Sequence, residues 1–249
     1  MKNKKGSAQP GFNLVYEHKT WSPSRLGCWE ECPAKAKYKY LMKLPDPPGP
    51  ALLRGTQLHT GCENYIRGVE KKLNPELAKA KKILDLHKRE FAKGNVRVEM
   101  DLAFTQSWDV CDWMASDVWA RFKVDAVLRT GMAKCVITDW KTGKFKPDGE
   151  YDEQLRLYCV ALLSYAQQAP TTNSWAAIEE ATAQLFFTDV GEAVRRPNGV
   201  LAVKGLVAER NVWNKKVERM FKDRDHEPMP GQGCRYCPFS IQKSGPCKF

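Results

Sequence analysis

The sequence predicts an α/β protein with a mixed central β-sheet flanked by helices. Up to Gly94 the apolar residues recur at helical spacing. At Val96 the period drops to two, because Val96, Val98, Met100, Leu102 and Phe104 alternate with polar residues. Strand-like and helix-like runs then alternate as far as residue 221, the order of a sheet whose connections include helices.

Residues 1–20 read as a flexible basic arm, opening Met1-Lys2-Asn3-Lys4-Lys5-Gly6 with no apolar signal core behind it. Residues 21–249 read as one domain. Ser22-Pro23-Ser24 offers a hydroxyl cap and a proline for the first turn of a helix. That helix is expected to reach about Leu44 and stop at Pro45-Asp46-Pro47-Pro48-Gly49-Pro50. A second helix is expected over Leu53–Val69, and a third from Asn74-Pro75 to near Gly94. Three strands follow. The first is the alternating run from Val96. The second is Arg121–Leu128, and the third starts at Lys134 and continues through Lys141. A helix over Asp152–Gln168, a strand over Ala183–Thr188 and a charged helix over Val200–Phe221 complete the body. The tail, 228–249, is rich in Gly, Pro and Cys and has little capacity for regular structure. There is no internal repeat.

The chain has 249 residues, 43% hydrophobic, enough to bury a core. Its net charge of +11, from 40 basic and 29 acidic residues, favours a polyanionic partner. No apolar stretch approaches the length of a membrane span, so no membrane partner is expected. With no secretory signal and an odd count of nine cysteines, a disulfide framework is disfavoured and a reducing cytoplasm is expected.

The third strand ends in Asp139-Trp140-Lys141, where Asp139 and Lys141, two apart, share a face. On the second strand Phe122, Val124, Ala126 and Leu128 alternate with Asp125, which turns Asp125 away from the apolar side. If the two strands are neighbours, both carboxylates can approach one hard cation. Two acids, a lysine and a cation make a site for a phosphodiester and a water, which points to hydrolysis of nucleic acid. D-x-K alone is a common triplet, so the weight rests on its companions. His59, with Glu63 one helical turn later, is a nitrogen ligand suited to a manganese-like ion. Gln154 and Tyr158 are four apart on one helix face and begin close after the Asp139 strand. They can bind phosphate or a base, or buttress the lysine.

Cys62, Cys111, Cys135 and Cys159 stand singly among apolar or helical residues and read as small core side chains. Cys234 and Cys237, in C-x-x-C-Pro spacing, and Cys247 form a metal-binding tail. Cys32, before Pro33, is the best candidate for a fourth thiolate. Four cysteines suit either a [4Fe-4S] cluster or a structural zinc. Either would pin the tail to the first helix.

Together these pieces resemble the RecB-like branch of the PD-(D/E)XK nucleases, in the group that carries an iron–sulfur cluster. That group includes AddB-type nuclease domains, CRISPR-associated four-cysteine exonucleases and many bacteriophage nucleases. The resemblance runs from Ser22 to Cys247 with the motifs in family order: the Cys32 helix, Gly55-Thr56 with His59, Val124-Asp125, Asp139-Trp140-Lys141-Thr142-Gly143, Gln154 with Tyr158, then the three-cysteine tail. Two departures stand out. The Cys237–Cys247 interval is long, and Phe122-Lys123-Val124 lacks the glycine that often precedes the first acid.

The resemblance implies a restriction-endonuclease-like fold whose N-terminal helix and C-terminal tail are clamped by a four-cysteine cluster. It implies Mg²⁺ or Mn²⁺ held by His59, Asp125, Asp139 and the carbonyl of Trp140. Lys141 would position or activate the attacking water, and Asp125 and Asp139 would share the catalytic work. Gln154 and Tyr158 would support the lysine and the DNA backbone, and Lys144 and Lys146 would hold phosphates. Cys32, Cys234, Cys237 and Cys247 would ligate the [4Fe-4S] cluster, with zinc as the alternative. The implied activity is a DNA exonuclease leaving 5′-phosphate ends. It would act on single or double strands in recombination, repair or phage DNA processing, with any helicase or recombination partner a separate chain. An endonuclease or nickase of the same fold, or a non-catalytic DNA-binding adaptor, are the alternatives.

Overall fold

The fold was obtained as a computed structural model that describes residues 17–145 and 151–249. Most of the expected basic arm, and Lys146, lie outside those residues.

Five strands form one sheet in the order β1-β2-β3-β4-β5. β1 (Val96–Phe104), β2 (Ala120–Arg129) and β3 (Lys134–Lys141) form an antiparallel meander. The chain then crosses over through helix α5 (Asp152–Ala166) to β4 (Glu180–Phe187), which lies parallel to β3. β4 turns back antiparallel into β5 (Glu192–Ala202), so the sheet is mixed. Helices cover both faces. The larger core packs α5 and α6 (Val203–Lys222) with α1 (Pro23–Glu31) on one face; the second packs α3 (Pro50–Arg67) and α4 (Lys81–Phe91) on the other. Among the described residues no helix is long and apolar enough to cross a membrane.

The expected N-terminal helix over Ser22–Leu44 is not one helix. Ser22 caps α1, its Oγ accepting from Arg25 N–H at 3.2 Å, but α1 ends at Glu31. Cys32 is extended (φ −166°, ψ 110°), and α2 (Pro33–Ala36) then starts afresh and runs into a π-turn at Lys37–Leu41. The cause is Pro33, which disfavours the helical region for the residue before it. The second helix begins three residues earlier than expected, with Pro50 in its first turn, and ends at Gly68 in the left-handed region (φ 77°). The third opens as a 3₁₀ segment, Pro75–Ala80, before α4.

The expected helix over Val200–Phe221 is also corrected: its start belongs to β5, and α6 begins only at Val203. β5 is an edge strand. It tolerates Pro197 and Gly199 and carries charged residues, so its sequence lacks the strand alternation. Gly199 is needed there, since a Cβ would lie 2.6 Å from the Ala183 carbonyl oxygen.

A further correction concerns alternation itself. In a regular strand residues two apart share a face. In β1, however, Val96 and Val98 enter the second core while Met100, Leu102 and Phe104 enter the first. In β2 Phe122 and Val124 enter the first core, Ala126 the second and Val127 the first. Both strands change faces at the same level, across Glu99 and Asp125. Glu99 is the backbone cause, with φ at 48°, a conformation that costs about 1–3 kcal/mol in a non-glycine residue. The inversion places two carboxylates in the seam between the cores.

Candidate active site

β2 and β3 are neighbours, with Ala126 opposite Thr138; one step further along this register brings Asp125 across from Asp139. Asp125 Oδ2 accepts the Trp140 backbone N–H at 2.8 Å, which fixes the carboxylate against β3. From the other side α3 presents His59, whose Nδ1 lies 3.3 Å from the same oxygen. Leu58 and Cys62 anchor α3 in the second core and so aim His59 at the sheet. Glu99 completes the group: donor atoms of His59, Glu99 and Asp125 all lie within 4.8 Å of one another.

Asp139 and Lys141 do share a face. Lys141 Nζ lies 2.7 Å from Asp139 Oδ2, while Asp139 Oδ1 accepts the Tyr158 hydroxyl proton at 3.0 Å. Gln154 Nε2 donates to the Tyr158 oxygen at 2.7 Å, and Gln154 Oε1 accepts from Lys141 Nζ at 3.4 Å. The helix pair thus closes a ring of contacts around the acid–lysine couple and braces both members. Trp140 points its ring the opposite way, into the second core, against His87 and Phe186. Lys144 is exposed just beyond the strand.

The turn after β3 is held by a brace that the motif reading missed. Asp189 accepts the Gly143 N–H at 2.7 Å and both terminal nitrogens of Arg54 at 2.9 and 2.7 Å. Arg54 sits one turn before His59 on α3, so the brace ties the start of the His59 helix to the end of the Asp139 strand. Gly143 has φ 90°, the left-handed region that favours glycine.

Glu99 is the other residue missed. On the sequence it is one of several polar residues alternating with apolar ones, and nothing separates it from Arg97 or Asp101. Glu63, one turn after His59 on α3, pairs with Arg67 at 2.8 Å, and its charge reaches Glu99.

The electrostatics describe a site short of positive charge. Burial, then the charges of Asp125 and Glu63, push the Glu99 carboxyl up to about 7. Burial also raises Asp139, and Asp125 adds to it, although Lys141 pulls the other way. Burial works most strongly against the His59 charge, but the hydrogen bond to Asp125 together with the charges of Asp125 and Asp139 outweighs it and leaves the pKa raised. One imidazole and hard carboxylate oxygens, crowded enough to resist ionisation, fit a Mg²⁺ or Mn²⁺ ion.

A pH prediction follows. An acid with a raised folded pKa is destabilising once ionised, so Glu99 loses stability as pH rises from its ordinary value through about 7. The His59–Asp125 pair is likewise lost as pH rises past the raised His59 pKa. In EDTA the melting temperature is therefore expected to fall between pH 6 and pH 8, and Mn²⁺ to restore it. Glu99→Gln is expected to flatten the slope. A melting temperature independent of pH in EDTA would contradict the charge balance described.

The four cysteines singled out, Cys32, Cys234, Cys237 and Cys247, line one cavity of about 150 Å³ between the α1–α2 break and the tail. All are free thiols. Cys32 Sγ accepts the Met229 N–H and Cys234 Sγ the Gly231 N–H, both at 3.4 Å; burial raises the Cys237 pKa, and the Phe239 N–H offsets only part of that. The break at Cys32-Pro33 is what turns Cys32 toward the tail. Cys62, Cys135 and Cys159 are core residues; Cys111 is half-buried.

The family model described as the PD-(D/E)XK nuclease superfamily matches residues 20–122 and 96–242, most of the chain. The protein belongs to the PD-(D/E)XK nuclease superfamily. That makes it a phosphodiester hydrolase by family, one whose members use divalent metals. No curated protein matches the chain. Among solved structures it is similar to SSO0001 (15% identity, 96% of this chain and 91% of that one, TM-score 0.43). It is also similar to a protein from Eubacterium rectale called "Putative exonuclease" (12% identity, 88% and 87%, TM-score 0.47). Both are distant, and the placement in the superfamily rests on the family match.

Proposed function

We propose that this superfamily member is a Mg²⁺- or Mn²⁺-dependent DNA exonuclease that leaves 5′-phosphate ends. The observation that carries the reading is the convergence of His59, Glu99 and Asp125 on one point beside the buried Asp139–Lys141 pair. The first three, with Asp139 and the carbonyl of Trp140 adjoining, would hold the cation. A bound divalent ion supplies Lewis acidity at the scissile phosphate and lowers the pKa of a water. Lys141 orients the attacking water and offsets charge gathering on the phosphoryl oxygens. Tyr158 and Gln154 keep Asp139 and Lys141 in register, so that little reorganisation accompanies reaction. Lys144 and Lys146 attract the backbone without reading sequence. The motif order favours an exonuclease over an endonuclease or nickase.

The cysteine-lined cavity is proposed to hold a [4Fe-4S] cluster. A tetrahedral zinc with bonds near 2.3 Å draws its sulfurs to roughly 3.8 Å apart. Four thiols lining one cavity suit either group, and the likeness of the motif order to the cluster-bearing nucleases favours the cluster. Visible absorbance with iron in elemental analysis is expected; a colourless protein carrying zinc would replace the assignment. The proposed setting is the cytoplasm, with a helicase or recombination partner as a separate chain.

The test of the function uses DNA labelled at either end, as single strands and as duplex, incubated with Mn²⁺. Nucleotides released stepwise from an end, with 5′-phosphate products, are the expected result. Internal fragments at the earliest times would make it an endonuclease. Binding without cleavage in either metal would make it an adaptor.

A further inference from the structure

Next to the catalytic ring lies a groove of about 300 Å³ that the reaction scheme leaves unused. Gln154 and Tyr158 line it, and through their hydrogen bonds to Lys141 and Asp139 it adjoins that pair. Its other walls come from the start of α1 and from β2 with the loop that precedes it. They carry Arg25, Arg121, Lys123 and Trp113.

The charges in this groove are poorly compensated. Arg25 donates to the Thr20 carbonyl and hydroxyl, and Arg121 to the Trp113 carbonyl, at 2.7–2.9 Å. Among the described residues neither guanidinium is paired with a carboxylate. They stand close enough that burial and then, after the partly offsetting Tyr40, the Arg121 charge lower the Arg25 pKa. Only Lys123 has an acidic partner, Asp101 at 3.3 Å, and both of those side chains are largely exposed. Two buried-side guanidiniums facing one cavity without an acid form an anion site.

Trp113 adds a flat apolar surface to it. Its ring is half-buried on the groove wall, with the Arg121 guanidinium 5.4 Å and the Lys123 ammonium 5.7 Å from the ring. The neighbouring Met114 is 81% exposed, so the loop tip faces solvent. An aromatic plane flanked by cations that can reach phosphates is the arrangement by which unpaired strands are held. A base inside a duplex offers no free face for it.

We infer that this groove is a subsite for an unpaired nucleotide next to the scissile phosphate, with its base stacked on Trp113 and its phosphates on Arg25 and Arg121. The inference deepens the nuclease reading and rests on it for the position of the scissile bond, but its test is a binding test. In EDTA, where nothing is cleaved, anisotropy is measured with labelled oligo-dT and with an abasic oligonucleotide of the same length. Wild type is expected to bind oligo-dT about tenfold more tightly, the effect of stacking one base. Trp113→Ala should remove that preference and leave abasic binding unchanged, and Trp113→Phe should keep most of it. Arg25→Gln and Arg121→Gln should weaken both ligands and shallow the salt dependence. Equal binding of both oligonucleotides by wild type would overturn the inference without the need for any variant. So would a loss in Trp113→Ala that is the same for both, since the ring would then only prop its two cations. Base-dependent binding in a protein that cuts no DNA in Mn²⁺ would uphold the groove and remove the nuclease reading.

Discussion

Lys141→Met should lower DNA cleavage by about 10²–10³-fold while leaving DNA binding within a few-fold. Methionine fills most of the space of lysine but removes the ammonium, which lies 2.7 Å from Asp139. The loss should fall on kcat rather than KM, because the role proposed for this group is to offset charge that develops during reaction. The same change has a signature in stability. Asp139, 3% exposed, would be left with the Tyr158 hydroxyl as its partner. Breaking a buried pair by removing one member costs about 3–5 kcal/mol. Burial already raises the Asp139 pKa, so the orphaned acid can take a proton instead. An acid with a raised folded pKa destabilises the fold more as pH rises, so the variant should lose more at pH 8 than at pH 6. Urea unfolding in EDTA at both values measures this. Cleavage within tenfold of wild type would remove Lys141 from the chemistry. A stability loss equal at both pH values would mean that Asp139 does not take up the proton.

The frame of this site could be read from the sequence because two-residue spacing fixes facing without tertiary information. Asp139 and Lys141 had to share a face once the strand continued, and Gln154 and Tyr158 once the helix did. What could not be read was set by backbone geometry and edge position. β1 carries apolar residues at every even position from Val96 to Phe104, so its pattern fits one continuous inward face. The structure divides that face between two cores at Glu99, whose positive φ has no signal in an ordinary alternating strand. Glu99, which the structure brings beside His59 and Asp125, was hidden for the same reason. β5 was missed because an edge strand with Pro197 and Gly199 need not alternate. The split of the first helix, by contrast, was written in Cys32-Pro33.

That break is where the second large effect is expected. Cys237→Ser should bleach the proposed cluster and lower the melting temperature by about 10–20 °C. Cys32 and Cys234 are separated by about two hundred residues, and a cross-link closing a loop that long restricts the unfolded chain by about 5 kcal/mol. For a domain of this size each kcal/mol moves the midpoint by about 2–4 °C. The tail has little else to hold it: short 3₁₀ turns at Gln232–Tyr236 and Ile241–Lys243, with Phe239 and Ser240 as its buried residues. Phe239 packs against Tyr38 with ring centroids 5.6 Å apart, so the clamp also positions the π-turn that follows α2. Serine is nearly isosteric with cysteine, so a large shift would report a lost ligand rather than lost packing. Limited proteolysis should then release the tail from the variant well before it cuts the sheet. Activity per folded molecule should fall far less than in Lys141→Met, because the cysteines line a cavity that shares no residue with the catalytic ring. A variant that keeps its colour and its melting temperature would free Cys237 from the cluster.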